Sequence, residues 1–310
     1  MEQPIQRFPF AHTFSIVARD PATGQMGVAV QSHWFSVGSI VPWAAAGIGA
    51  IATQSMVNPN YGSLGLELLR GGLPAADVLK ALLATDEGRD LRQVAIVDSA
   101  GRVATHTGAR CIASAGHLTG DGFSVQANMM ANDTIWLAMR TAYLASKGNL
   151  SERLLAALDA AQASGGDVRG QQSAAILVVK AQSSGSPWAD KVVDLRVEDH
   201  PRPLGELRRL LHLHQAYDLM NAGDEHLAAD RIDQALESYH GAAQLAPEVM
   251  EMPFWHASTL TDLGRIEEAL PIFQRVFAAE PQWRELFSRL AMVGLSKATP
   301  QDRYRIMSLR

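Results

Sequence analysis

The stretch TFSIVAR at 13–19, DPATG at 20–24 and QMGVAVQS at 25–32 decides how this chain begins to fold. The two outer runs are short and rich in β-branched residues, which suit strands. Between them Pro21 presets φ for a turn, and Gly24 is free to take positive φ. The segment therefore reads as a β-hairpin that opens a sheet.

The same reading extends outward along the first 200 residues. AGIGAIATQS at 46–55 reads as a further strand, its glycines suggesting close backbone approach. Asn58 as N-cap and Pro59 at the first turn open a helix that runs to Arg70 and stops at Gly71-Gly72. Pro74–Thr85 is a second helix. Val94–Asp98 and Val103–Thr107 form a second hairpin around Ser99-Ala100-Gly101, and Phe123–Met129 is strand-like. Helices follow at about 133–146 and 151–163, the second capped by Ser151. QSAAILVVK at 172–180 is a continuous apolar run, the pattern of a strand buried on both faces, and Val192–Glu198 is the last strand. Hairpins imply antiparallel pairing, and helices arriving in pairs can cover a sheet face. That order favours a layered α/β (α+β) sandwich over the alternation of a dinucleotide-binding domain.

Composition changes near residue 204, after the turn signals SSGSP at 183–187 and DHPRP at 199–203. Beyond it Gly223, Ala235, Tyr239, Ala242 and Pro247 are answered 34 residues later by Ala257, Ala269, Phe273, Val276 and Pro281. This is the tetratricopeptide period. The expected organisation is an extension or propeptide at 1–12, a sandwich domain at 13–204 and an all-α tetratricopeptide-like domain at 205–310. Glu206–Leu213 and Trp283–Leu295 read as flanking helices covering the open ends, with Leu207, Leu210 and Leu211 on one side and Phe287, Leu290 and Val293 on the other. Such ends point to a homo-oligomer, or to a protein partner held by the repeats.

The chain has 310 residues, 47% of them hydrophobic, and a net charge of −5. That balance, without basic runs, argues against nucleic acid as a partner. No apolar run reaches spanning length, and the start MEQPIQRFPFAH has no signal-peptide core, so no membrane is expected and the compartment reads as cytoplasmic. One cysteine, Cys111, excludes an intramolecular disulfide and a CxxC site. The GxSxG, GxxxxGK[ST] and HExxH motifs are absent, and no cofactor or metal is expected.

Thr13 carries the chemical interest. A threonine hydroxyl is a weak nucleophile unless a base adjoins it, and an N-terminal threonine brings its own α-amine, with a pKa of about 7.7–8.0. That design requires residue 13 to become the first of the chain; the plain alternative is a strand-initial Thr. Gln126 and Asn128, two apart on one strand, share a face. Their amides could donate to an oxyanion, or simply satisfy each other between sheets. Asp167, Arg169 and Ser173 lie in a Gly-rich turn, which either aims at a cleft or connects a helix to a strand.

The opening TFSIVARD at 13–20 with GVAVQS at 27–32, VPWA at 41–44, ATQS at 52–55, NPxYG at 58–62, HTG at 106–108, GFSVQANM at 122–129, GDxRGxQSAA at 166–175 and DLRVxDHP at 194–201 resembles the bacterial family called domain of unknown function 1028. The resemblance covers residues 13–215 and implies a four-layer αββα sandwich of the N-terminal-nucleophile (Ntn) hydrolase type. Members often begin Met-Thr; here His12 and eleven more residues precede Thr13. Proteasome-type relatives place a lysine near the nucleophile, whereas the first lysine here is Lys80. The resemblance implies the fold; by analogy with that fold, the expected function is an amidohydrolase acting on a small-molecule amide, with Thr13 as nucleophile after loss of residues 1–12. Gln126 and Asn128 would serve the oxyanion, and Ser173 and Asp167 would order the new terminus. Arg19, His33, His106 and Arg169 complete the expected substrate-binding set. The alternative is a non-catalytic domain of the same fold that binds a small molecule while the repeats recruit a partner.

Overall fold

The computed structural model describes residues 10–11 and 13–309. It is built of two antiparallel sheets and ten helices among those residues, an α+β architecture. The chain starts with β1 (Phe10–Ala11), β2 (Thr13–Arg19) and β3 (Met26–Ser32). β2 and β3 are an antiparallel hairpin with Thr13 opposite Ser32 and Arg19 opposite Met26. The Asp20 carboxylate accepts from Ala22 N and Thr23 Oγ1, and Gly24 takes φ +72° to close the turn. β4 (Pro42–Ala45) and β5 (Gly49–Met56) form a second hairpin. The strand expected over 46–55 thus starts only at Gly49, because Gly47 at φ +71° lies in the turn between the two strands. α1 (Asn60–Arg70) and α2 (Ala75–Ala84) follow, then β6 (Arg92–Asp98), β7 (Val103–Thr107), β8 (Gly116–Gly120) and β9 (Phe123–Ala127). No strand is expected from the sequence at β8, a run of five residues with a glycine at each end, which carries little strand character. α3 (Ile135–Ala145), α4 (Leu150–Ala163), β10 (Ser173–Val179) and β11 (Lys191–Val197) complete this part. α4 is capped by Asn149 rather than Ser151: Asn149 Oδ1 accepts from Glu152 N at 3.0 Å while Glu152 Oε2 reaches back to Asn149 N.

One sheet runs β11-β10-β3-β2-β9-β8, and the other runs β1-β5-β6-β7 with β4 also on β5. β10 is interior and buried on both faces, which explains its unbroken apolar run. α4 packs on β2, β3 and β10, and α3 on β8 and β9. Gly27 and Gly116 make room there for Leu154 and Trp136, which a Cβ would meet within 3.0 Å. α1 packs on β4 and β5 and α2 on β6 and β7, around Ile51, Val94 and Ile96. The two sheets meet through Val17, Val28, Val30, Ala50, Ala52, Ala95, Val97 and Leu177. Alternation explains the assignment: on β6, Gln93, Ala95 and Val97 face the other sheet, while Val94 and Ile96 face the helices.

The chain divides after Arg208 into two compact units. The division falls inside α5 (Pro203–Ala228), so the helix expected over 206–213 is the first part of a longer one. α6 (Ile232–Leu245), α7 (Glu251–Asp262), α8 (Ile266–Ala279), α9 (Gln282–Met292) and α10 (Pro300–Met307) follow. Ala235, Tyr239 and Ala242 are buried on α6, as are Ala269, Phe273 and Val276 on α8. Gly223 admits the Tyr239 ring, which a Cβ would meet at 2.5 Å. Phe287 is wholly buried, but Val293, expected to close this end, is 69% exposed. No described helix is long and apolar enough to cross a membrane.

Candidate functional site

The space between the sheets is apolar along most of its length and polar at one end. The polar end is made where β2, β5, β6, β7, β8 and β9 bring inward-facing hydroxyls and amides together. Ser15 and Gln126 stand opposite each other across β2 and β9, and Gln54 stands opposite Gln93 across β5 and β6. Their side chains join through one network. Ser15 Oγ donates to Gln54 Oε1 (2.7 Å), and Gln126 Nε2 donates to Ser15 Oγ (2.6 Å). Gln93 Oε1 accepts from Gln54 Nε2 (2.7 Å) and from Asn128 Nδ2 (2.9 Å). Gln93 Nε2 in turn donates to Thr107 Oγ1 (2.9 Å) and to the carbonyl of Ala127 (2.9 Å). Ser15, Gln54, Gln93, Gln126 and Asn128 are all fully buried. A polar group buried at that depth demands a partner, and here each amide has one.

Thr13 is the first residue of β2 and is fully buried at the head of this network. Its carbonyl accepts from three donors: Asn128 N (3.1 Å), Gln54 Nε2 (3.2 Å) and Asn128 Nδ2 (3.4 Å). Both sheets therefore grip one backbone atom, Gln54 from one and Asn128 from the other. β1 pairs with β5 in one sheet, Ala11 opposite Ser55, whereas β2 lies in the other. The chain changes sheet between Ala11 and Thr13. The side chains that knit the network around the Thr13 carbonyl are neutral.

Two titratable groups border the cluster. His117 shares a 2.8 Å hydrogen bond between Nδ1 and Thr107 Oγ1. Burial, and then the neighbouring His106, hold its pKa below the ordinary histidine value. Cys111 donates to the carbonyl of Arg92 (3.4 Å). Burial pushes its thiol up, against hydrogen bonds to Ser55 and Gly108 that act the other way. A thiol held protonated is a poor nucleophile.

The residues singled out in the sequence fall into three groups. Asn128 and Gln126 lie on the face shared with Thr13, but their amides are already spent on the Thr13 carbonyl, Gln93 and Ser15. They hold the strand in place. Ser173 lies in register with Ser32, itself opposite Thr13, two strands and about 10 Å away. Its hydroxyl donates to Trp34 O and accepts from Val37 N, so it ties the loop after β3 instead of the start of β2. Asp167 pairs with Arg169 (2.7 Å) and accepts from His33 N (3.4 Å), which places all three on the same loops.

Arg19 and His106 do not join the site. Arg19 ends β2, about 20 Å of strand from Thr13. His106 alternates with Thr105 and Thr107 on β7 and so faces the helices, where Nε2 bonds the carbonyl of Arg89 (2.9 Å). The sequence does not single out Ser15, Gln54, Gln93 or Thr107, and it offers His117 only beside His106 as a histidine bracketing a Gly-containing loop. Gln93 was the findable one, a polar residue in phase with the inward-facing Ala95 and Val97. Among the described residues no three His, Cys, Asp or Glu side chains are grouped to hold a metal.

Comparison with family models matches residues 13–207 to a family of unknown function, DUF1028. Among solved structures the chain resembles the crystal structure of protein SPO2555 from Silicibacter pomeroyi, a protein matched to the same family. The two share 33% sequence identity and a TM-score of 0.59, over 65% of this chain and 85% of that one. No curated protein matches the chain.

Proposed function

The chain belongs to the DUF1028 family, and from that premise we propose that it is an N-terminal-nucleophile amidohydrolase of the αββα type, with Thr13 as nucleophile. The observation that carries this reading is the placement of Thr13. It heads an interior strand of one sheet, three donors from both sheets hold its carbonyl, and the family match begins at that residue. Because the network beside it is neutral, the base is the α-amine that loss of residues 1–12 would free. Thr13 Oγ attacks a small amide carbonyl as its proton passes to that amine. The tetrahedral intermediate then collapses, the C–N bond breaks, and the ammonium returns the proton to the leaving nitrogen. Water hydrolyses the Thr13 ester by the same route. Asn128 Nδ2 would serve the oxyanion by giving up its contact with Thr13 O, at 3.4 Å the longest of the three.

The test is the intact mass of the purified protein together with turnover of a panel of small amides. We expect a chain beginning at Thr13, activity rising with pH toward about 8 as the amine deprotonates, and loss of both processing and turnover in Thr13→Ala. A full-length chain with full activity would eliminate the amine mechanism.

A second reading is a non-catalytic domain of this fold that binds a small molecule or acts as a scaffold in the cytoplasm. The complete burial of Thr13 with chain still attached on its N-terminal side favours it. In either case we read the helical unit as tetratricopeptide-like. The buried Ala235, Tyr239 and Ala242 recur 34 residues on as the buried Ala269, Phe273 and Val276, a unit suited to joining copies of the chain or holding a partner.

A further inference from the structure

We propose that the groove between α5 and α7 is a binding site for an organic cation, an ammonium or guanidinium group on a short apolar stem. The groove encloses about 350 Å³ and lies wholly within the second unit. Tyr217, Met220, Asn221 and Asp224 recur at helical spacing on one face of α5, and Glu251 and Trp255, four apart, face them from α7. Two carboxylates, two aromatic rings and an apolar floor at Met220 thus converge on one space.

The carboxylates are bound only by neutral donors. Glu251 accepts from Tyr217 Oη (2.6 Å) and Trp255 Nε1 (3.3 Å), and Asp224 from Tyr239 Oη (2.6 Å). Among the described residues no lysine or arginine pairs with either. These hydrogen bonds fix the carboxylates in position and leave their charge uncompensated. The hydrogen bond to Glu251, then burial and last the charge of Glu251, push the Tyr217 hydroxyl up to about 12, so it stays a donor to that carboxylate. An aromatic face attracts a cation, and more so where carboxylates already supply the field. The Met220 floor suits the methylenes of a stem. A neutral ligand gains only the apolar floor, and an anion is repelled by the carboxylates.

The experiment is calorimetric titration of the full chain with n-butylammonium, with N-acetyl-lysine methylamide and N-acetyl-arginine methylamide, and with neutral n-butanol. Saturable binding of the cations alone is expected, weakened several-fold when salt is raised from about 0.05 to 0.5 M. Glu251→Gln and Asp224→Asn, which keep side-chain volume, should each weaken it about two- to fivefold. Glu285→Gln on α9 should leave it unchanged. The two kinds of probe separate a free amine from a basic side chain carried by a polypeptide. Should a variant misfold by circular dichroism, the butanol control and the salt series on the unaltered chain decide. Equal binding of butanol, binding indifferent to salt, or no saturable binding of any cation up to about 10 mM overturns the proposal. The outcome is independent of Thr13, which belongs to the other unit.

Discussion

His117 shows how position alone sets the behaviour of a residue. It faces the inner space from β8, bonded to Thr107, and burial followed by His106 lowers its pKa. In the unfolded chain a histidine titrates near 6.5. Below that value the unfolded state therefore binds more protons than the folded one, and stability is lost as pH falls from about 6.5 through the folded pKa. We expect the urea midpoint of the first unit to drop between pH 7.5 and 5.5. His117→Asn, which keeps a nitrogen or oxygen near the Nδ1 position, should flatten that drop. Asp86 does not contribute in this window. Its carboxyl is held below the usual value by hydrogen bonds from Arg92, Tyr61 and Gly88 that outweigh burial, so its contribution disappears only in stronger acid. An unchanged slope in His117→Asn would show that other groups carry the pH response.

At the scale of elements, the network is a joint between two sheets that otherwise meet through small and branched apolar side chains. Gln93 on β6 is its centre, bonded to Gln54 on the neighbouring strand, to Thr107 on β7, and across the gap to Asn128 and the Ala127 carbonyl. Gln93→Leu takes one buried partner from each of those donors and acceptors, while Gln54 and Asn128 keep their bonds to the Thr13 carbonyl and Thr107 its bond to His117. A loss of about 3 kcal/mol in chemical denaturation is expected, above the roughly 1 kcal/mol of an ordinary hydrogen bond. The same change should loosen the grip on the Thr13 carbonyl, since Gln54 and Asn128 both lean on Gln93 Oε1. Hydrogen exchange of the Asn128 amide, which donates to the Thr13 carbonyl, should quicken, which a loss of packing elsewhere in the sandwich would not produce. A cost below about 1 kcal/mol would mean that water replaces the amide and the joint is not rigid.

For the whole molecule, the division after Arg208 predicts two unfolding transitions in calorimetry, although α5 runs through it without a break. Gln93→Leu should move only one of them. Phe273→Ala, which empties the buried ring site against Phe254, Phe277 and Phe287, should move only the other, by about 3–5 kcal/mol. A single transition shifted by both variants would make the two units one cooperative body.

The sequence by itself determined the elements that depend on neighbours along the chain. The β2–β3 hairpin follows from Asp20-Pro21 and Gly24, the interior place of β10 from its apolar run, and the matched helices α6 and α8 from a spacing of 34. It also put Thr13 at the head of a strand and Gln126 and Asn128 on one face, since alternation is a local property. Which residues stand around Thr13 was decided only by the tertiary structure. Gln54 lies 41 residues from it in the chain and Asn128 115, and each arrives by the pairing of a different strand. Arg19, six residues away, is carried off by the rise of the strand, and His106 is turned to the outer face of its sheet. Alternation says which side chains share a face; it does not say what that face will meet, because contacts between sheets are set by how whole layers stack.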